Sequence, residues 1–344
     1  MPNDVVTPAI DRVASGQDLS ADEAAAVLRE IMEGRVDEVQ TAGFLIALRT
    51  KGETVDEVAG LAATMRALAN RVDIGKPGLV DTAGTGGGAP SFNVSTTAAL
   101  LAAAAGVPIA KHGNRSATGR CGSADVLEAL GARIDLEPAA IAECIADVGF
   151  GFMFAPMHHQ ATRYVVPVRR DLAVRTIFNL LGPLTNPAGA TRQVIGVSDP
   201  SYLETMAGAL ARLGSESALI VSAEDGLDEL SVSAPTRVVE LKAGQIDSFT
   251  LTPEEAGLER ASSASLAQGD PEENAALTRA VLTGKQQGVE RSLVLLNAGA
   301  ALYVGGAADS IGDGVKKAGT AIDSGASAEL LDRYIGKTKE LAPA

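Results

Sequence analysis

The 344-residue sequence contains no tryptophan, and its aromatic residues amount to 3% of the chain. The core must therefore be built mainly from Ala, Leu, Val and Ile. Cysteine is limited to Cys121 and Cys144. A disulfide framework is not expected, and two thiols cannot alone complete the usual four-ligand zinc site. Histidine is as scarce: His112 and the adjacent pair His158-His159 are all there is, so zinc is a poor fit. Positive charge is in deficit, with 29 Lys+Arg against 43 Asp+Glu and a net charge of −14. That balance argues against broad contact with nucleic acid or an anionic membrane, but a local basic field can still take a small anion. The first 19 residues hold no apolar signal core, and the apolar run near 98–110 is too short to cross a bilayer. A soluble, cytoplasmic protein is expected.

What remains is a folded composition, 46% hydrophobic and 21% charged, in a chain long enough for one large domain or two ordinary ones. Residues 1 to about 70 read as helices alone. Ser20 with Glu23, and Thr54 with Glu57, each make the reciprocal pattern in which a hydroxyl takes a free backbone N–H and the acid returns the bond. Val27, Leu28 and Ile31 share a helical face, and Gly34 is a plausible stop. Beyond residue 73 the pattern changes to alternation. Short apolar strands are expected at 79–81, 106–110, 151–155, 193–197 and 217–222, with helices at 98–105, 124–130, 137–148 and 202–213. The helix at 98–105 is expected to be capped by Ser95 or Thr96. Such alternation marks a layered α/β domain. Residues 164–180 have mixed helical spacing that Gly182-Pro183 should break. From 237 onward, short strands alternating with helices are expected, including helices at 273–282, 291–304 and 326–338. A small all-α domain from 1–70 plus about 160–188 is expected, with a large α/β domain from about 73–159 plus 189–344.

Three polar segments follow predicted strands, where open α/β sheets place their ligands. Gly84-Thr85-Gly86-Gly87-Gly88 can present consecutive N–H groups to a phosphate, with Ser95 and Thr96 adding hydroxyls at a helix start; it could equally be a tight turn. The run has neither Walker nor dinucleotide spacing. Lys111-His112-Gly113-Asn114-Arg115 begins a loop with a point charge suited to phosphate and an amide that donates and accepts; a solvated basic turn would look the same. Asp228-Glu229 can hold Mg²⁺ through oxygen, or satisfy free amides at a helix start. Arg163, Arg169, Arg170 and Arg175 form a second basic stretch.

Taken together these segments resemble the anthranilate phosphoribosyltransferase family. The matching text is GTGG at 84–87, FNVST at 92–96, AKHGNR at 110–115, GSADVLEALG at 122–131, RTIFNLLGPLTNPA at 175–188 and DGLDELS at 225–231. The resemblance spans nearly the whole chain. It implies an α/β fold with a smaller all-α domain, of the nucleoside phosphorylase/phosphoribosyltransferase-like type II/III class, with the active site in the interdomain cleft and a homodimeric assembly. It implies transfer of a phosphoribosyl group from phosphoribosyl pyrophosphate to the amine of anthranilate, in tryptophan biosynthesis. Gly84, Thr85, Gly86, Gly87, Asn93, Ser95, Thr96, Lys111, Thr118 and Gly119 would then hold phosphoribosyl pyrophosphate. His112, Asn114 and Arg169 would face anthranilate. Asp228 and Glu229, with Ser95, would bind Mg²⁺. Lys111, Asn114 and Arg169 are the residues expected to carry catalysis.

The chain departs from the family pattern at three places. Gly88 stands where an Asp usually follows GTGG, in a slightly shortened loop. Thr118-Gly119 replaces a double Ser, and Ser222-Ala223 replaces His-Gly. These departures leave room for a transferase with another aromatic acceptor. A non-catalytic relative that binds nucleic acid is the other alternative, which the acidic balance disfavours.

Overall fold

The computed structural model describes residues 2–343 except 76, 117–118, 263–265 and 267. Four helices come first: α1 Val6–Ala14, α2 Ala21–Met32, α3 Glu38–Lys51 and α4 Val55–Ala67. Both expected capping boxes form, Ser20 with Glu23 and Thr54 with Glu57. Each replaces exposed N–H groups with side-chain acceptors and is worth roughly 0.5–2 kcal/mol. Glu57 has a second task. It accepts from the Leu19 amide and pairs with Lys51 at 3.0 Å, so the cap of α4 also fixes the chain entering α2.

The alternating part then runs β1 Val80–Gly84, α5 Val94–Ala104, β2 Ile109–Gly113, α6 Ser123–Ala129, α7 Pro138–Val148 and β3 Phe150–Phe154. It is interrupted by α8 Ala155–His158, a 3-10 turn Gln160–Tyr164, α9 Val166–Leu172 and α10 Phe178–Leu184. It resumes with β4 Arg192–Gly196, a 3-10 turn Pro200–Tyr202, α11 Leu203–Arg212 and β5 Ser217–Ala223, and closes its sheet with β6 Thr236–Lys242 and β7 Gln245–Leu251. Four helices end the chain: α12 Pro271–Leu282, α13 Val289–Val304, α14 Ile311–Asp323 and α15 Ala326–Leu341.

The seven strands form one sheet in the order β3-β2-β1-β4-β5-β6-β7. The first five in that order are parallel; β6 pairs antiparallel with β5, and β7 antiparallel with β6. The order reverses between β1 and β4, so their carboxyl ends flank the switch point where α/β sheets open a crevice. Strand alternation sends side chains to two cores. Val194, Leu219, Val221 and Val238 join α5, α13 and α15 on one face. Ile195, Ala218, Ile220, Val239 and Leu241 join α1–α4 and α9–α11 on the other. The segment 160–184 packs with the first helices: the 3-10 turn meets α2, α9 meets α3 and α10 meets α4.

Several expectations are corrected. Helix α5 begins at Val94 with Asn93 as its N-cap and no side-chain cap bond, so Ser95 and Thr96 lie inside its first turn. Lys111 and His112 lie within β2 and are buried, not in a loop beyond it. Helix α10 runs through Gly182 and Pro183; Pro183 removes only one backbone donor, its own, from this seven-residue helix. After β7 the described residues contain only helices, because the late alternation was read from short apolar runs whose period is ambiguous. The helix at 311–323 had no counterpart in the reading of the sequence.

Candidate active site

The site is built where the loops after β1 and β5 meet. The chain leaving β1 turns back at once: Thr85 N–H donates to Gly196 O at 2.9 Å, tying the loop to the end of β4. Gly86 and Gly87 then take φ of +66° and +83°, a region that side chains disfavour. Gly86 N–H donates to Asp228 Oδ2 at 3.0 Å, and Ala89 N–H donates to Gly226 O at 2.7 Å. The glycine loop is thus laced to the acidic loop between β5 and β6. The approach is close. A Cβ on Gly88 would stand 2.6 Å from Asp228 Oδ1 and 2.8 Å from Asp228 N, and one on Gly196 would stand 1.6 Å from Asp228 O. Asp228 and Glu229 lie in this loop, not at a helix start.

Lys111 enters from β2, beside β1. It is 2% exposed, and its Nζ donates to Thr82 O, to Thr82 Oγ1 at 3.3 Å and to Ser95 Oγ at 3.4 Å. Burial pulls its pKa down, while Asp81 and Glu229 oppose that. Asp81 lies fully buried one strand away. It accepts from His112 N at 3.1 Å and from Asn186 Nδ2 at 2.8 Å, and burial pushes it up to about 6 against the pull of Lys111. Asn186 Nδ2 also donates to Ala110 O. The β1-facing edge of the strand carrying Lys111 and His112 is therefore held by two buried polar groups that also bond each other.

Burial, then the neighbouring Asp228, pushes the Glu229 carboxyl up to about 8; Lys111 and the Ser95 amide pull it back. Asp228 is also raised by burial, against the Gly86 amide and Arg175. Two adjacent carboxylates that resist ionisation are a site that a cation would relieve. Their oxygens, with the Ser95 hydroxyl brought close by Lys111, are hard donors of the kind Mg²⁺ takes. Among the described residues no group of three or more His, Cys, Asp and Glu could hold a metal, so further ligands would have to come from substrate oxygens and water.

The expected acceptor side lies around β2 and α10. His112 Nδ1 donates to Gly182 O at 3.2 Å, and the His112 and His159 rings lie 5.0 Å apart. Arg169, in the last turn of α9, stacks over the Phe178 ring at 5.5 Å and pairs with no carboxylate among the described residues. Burial lowers its pKa. Asn114 is exposed just beyond β2, with its Oδ1 accepting from Arg115 N at 2.7 Å.

Other expected residues are less free. Thr85 is buried, with its Oγ1 accepting from Ser198 N at 3.2 Å. Thr96 is buried inside α5. Gly119 N–H donates to Ser116 Oγ at 2.7 Å. Thr118 lies outside the described residues. Asn93 donates to Cys121 O at 3.3 Å, while its Oδ1 accepts from Asn274 Nδ2 at 2.9 Å.

Four residues of this neighbourhood escaped the reading of the sequence as site residues: Asp81, Arg175, Asn186 and Asn274. Asp81 left a signal, a carboxylate inside a strand otherwise apolar. Asn274 left none, since it reaches Asn93 from α12 across 181 positions.

Residues 7–69 match the helical bundle domain of the glycosyl transferase family, and residues 76–328 match its a/b domain. The anthranilate phosphoribosyltransferase of Halorhodospira halophila is 50% identical over 98% of this chain and 99% of its own. The crystal structure of the Thermus thermophilus enzyme superposes with a TM-score of 0.91 at 46% identity, covering 96% of this chain and 99% of that one. The Saccharomyces cerevisiae enzyme in complex with PRPP and Mg superposes with a TM-score of 0.88 at 27% identity, covering 98% of each chain. On these matches, the chain belongs to the anthranilate phosphoribosyltransferase family.

Proposed function

We propose that this protein transfers the 5-phosphoribosyl group from phosphoribosyl pyrophosphate to the amine of anthranilate, releasing pyrophosphate, as a step of tryptophan biosynthesis. Full-length similarity to enzymes of that name supports the reaction. The observation that carries the site is the joining of three elements. Gly86 reaches Asp228 at 3.0 Å, and Lys111 reaches Ser95 at 3.4 Å while its charge acts on Glu229.

Breaking the bond at C1′ builds positive charge on the ribose and negative charge on the departing pyrophosphate. The free amides of the glycine loop and the start of α5 take the phosphate oxygens. Lys111 holds a cation beneath them in a buried setting, where charge acts strongly. When bound at Asp228, Glu229 and Ser95, Mg²⁺ supplies further charge neutralisation for the leaving group; the yeast structure in complex with PRPP and Mg supports its use. The anthranilate amine is neutral at pH 7, so alignment matters more than a strong base. Arg169, half-buried and without an acidic partner among the described residues, faces the anthranilate carboxylate; His112 and Asn114 line the same side. Gly84, Thr85, Gly86, Gly87, Asn93, Thr96, Thr118 and Gly119 complete the phosphoribosyl side, Thr85 and Thr96 through backbone more than hydroxyl.

The helical part comprises residues 1–70 with about 160–188, and the rest forms the α/β part. A homodimer joins through the helical part, where Val5, Val39, Ile46, Tyr164, Val166 and Val174 are exposed on packed neighbours α1, α3 and α9 and their flanks. No helix among the described residues is long and apolar enough to cross a membrane.

A steady-state assay tests the reaction. Anthranilate should raise Mg²⁺-dependent pyrophosphate release saturably, and other aromatic amines should not. Release that is indifferent to anthranilate would sink the acceptor assignment.

A further inference from the structure

We propose that Arg175 is a positioning residue for phosphoribosyl pyrophosphate, acting through the backbone of the glycine loop. The proposal rests on the phosphoribosyl reading of that loop. Arg175 lies between α9 and α10, about 90 positions from the loop it touches. Its Nη1 donates to Gly86 O at 2.6 Å and its Nη2 to Thr85 O at 3.4 Å. A Cβ on Gly87 would stand 2.1 Å from Arg175 Nη1, so the guanidinium lies directly against the loop. No carboxylate pairs with it among the described residues.

The consequence concerns which groups of the loop stay free. A phosphate site made of backbone needs N–H groups turned toward the anion and carbonyls turned away. Thr85 N–H is spent on Gly196 O, Gly86 N–H on Asp228 and Ala89 N–H on Gly226 O. The amides of Gly87 and Gly88 have no hydrogen-bond partner among the described residues. Arg175 takes the Gly86 carbonyl, which shares a peptide with the free Gly87 amide, and the Thr85 carbonyl, which shares one with the Gly86 amide. A fork of planar donors can hold two neighbouring carbonyls at once, which a lysine cannot do with the same fixed geometry. The glycines have little preference of their own, so the orientation of these peptides has to be imposed from outside.

Arg175 also links the two halves of the site. The same stretch carries Arg169 on α9 at one end and, at the other, the Gly182 carbonyl that holds His112. A shift of α9 or α10 on the acceptor side would be felt at the glycine loop through this side chain.

Calorimetric binding of phosphoribosyl pyrophosphate in the presence of Mg²⁺, together with steady-state kinetics, tests the role in the full-length protein. Arg175→Ala should weaken phosphoribosyl pyrophosphate binding and raise its KM by about 10–100-fold, the loss of charge-assisted bonds. The anthranilate KM and the Tm should stay close to the parent, because the side chain is exposed. Arg175→Lys should recover part of the loss. Parent-like phosphoribosyl pyrophosphate affinity in Arg175→Ala, or an equal rise in both KM values, would overturn the proposal. A parent protein that binds phosphoribosyl pyrophosphate but ignores anthranilate would instead overturn the acceptor reading alone. No binding by the parent protein would overturn both.

Discussion

The backbone amide of Gly86 donates to the carboxylate of Asp228 across 142 positions of sequence. A proposed phosphate ligand and a proposed metal ligand are thus each other's partner. A cation at the acidic pair takes the Asp228 oxygen and so releases the Gly86 amide, which then joins those of Gly87 and Gly88 at an anion. Either one, on arriving, frees a group that the other can use.

The two ligands should therefore bind cooperatively. Phosphoribosyl pyrophosphate affinity, measured by calorimetry with and without Mg²⁺, should rise on adding the ion. Asp228→Asn should reduce that gain by about tenfold or more, since it removes the charge while keeping the shape. An unchanged gain in the variant would remove Asp228 from the metal assignment.

Gly88→Asp restores the residue most relatives are expected to carry, and it should harm this protein. The added Cβ would meet Asp228 Oδ1 at 2.6 Å, Asp228 N at 2.8 Å and Gly226 O at 2.9 Å. Two of these are backbone atoms, which cannot swing aside. Overpacking of this kind costs about 1–3 kcal/mol, and a third carboxylate would join Asp228 and Glu229. Thermal unfolding should show a lower Tm, and the KM for phosphoribosyl pyrophosphate should rise. Improvement in both would mean that the shortened loop readily takes another path.

Arg169→Ala should affect the acceptor more than the donor. The guanidinium is half-buried over Phe178 without an acidic partner, so an arriving carboxylate would be its first. Loss of such a bond is worth about 1.5–3 kcal/mol, or roughly 10–150-fold in anthranilate KM. The KM for phosphoribosyl pyrophosphate should change little. Equal losses would place Arg169 elsewhere in the mechanism.

Acid should destabilise the fold through its three histidines. His112 Nδ1 donates to Gly182 O, His158 Nδ1 to Asn70 O and His159 Nε2 to Thr185 O, while the second nitrogen of each ring is buried without a partner among the described residues. Protonation would place a new N–H where nothing accepts it. Burial, then His158, depresses His159 to about 4, and burial also lowers His112 and His158. The unfolded chain binds these protons near pH 6.5 and the folded chain only lower down. The stability they provide is present above pH 6.5 and is lost as pH falls toward 4. His159 alone accounts for about 3 kcal/mol across that window. Denaturant titrations at pH 7.5 and pH 4.5 should show the loss, and His159→Gln should make it smaller. An identical loss in the variant would assign the acid sensitivity to other groups.

The helices of the first 70 residues were legible because their signals are local. A capping box and an apolar stripe act within a few residues, and both boxes formed where the sequence placed them. The parallel strands were legible for the same reason, as short apolar runs bounded by glycines. What misled was also local. Ser95 and Thr96 look like caps, yet the helix begins one residue before Ser95, after Asn93. Lys111 looks like the opening of a polar loop, yet it lies inside β2. A lysine can occupy a buried strand there because Thr82 and Ser95 accept its hydrogen bonds and Asp81 and Glu229 supply opposing charge. None of those partners is near it in sequence.

The sequence by itself determined the caps, the strand–helix alternation, the acidic balance and the motifs that carry the family resemblance, because each depends on neighbours a few positions away. Only the tertiary structure decided that Gly86 meets Asp228, that Asn274 holds Asn93, and that Arg175 grips the glycine loop. Those pairs are set by strand order and by which helices pack across the switch point, and a contact between residues 89 to 181 positions apart leaves no periodic trace in one chain.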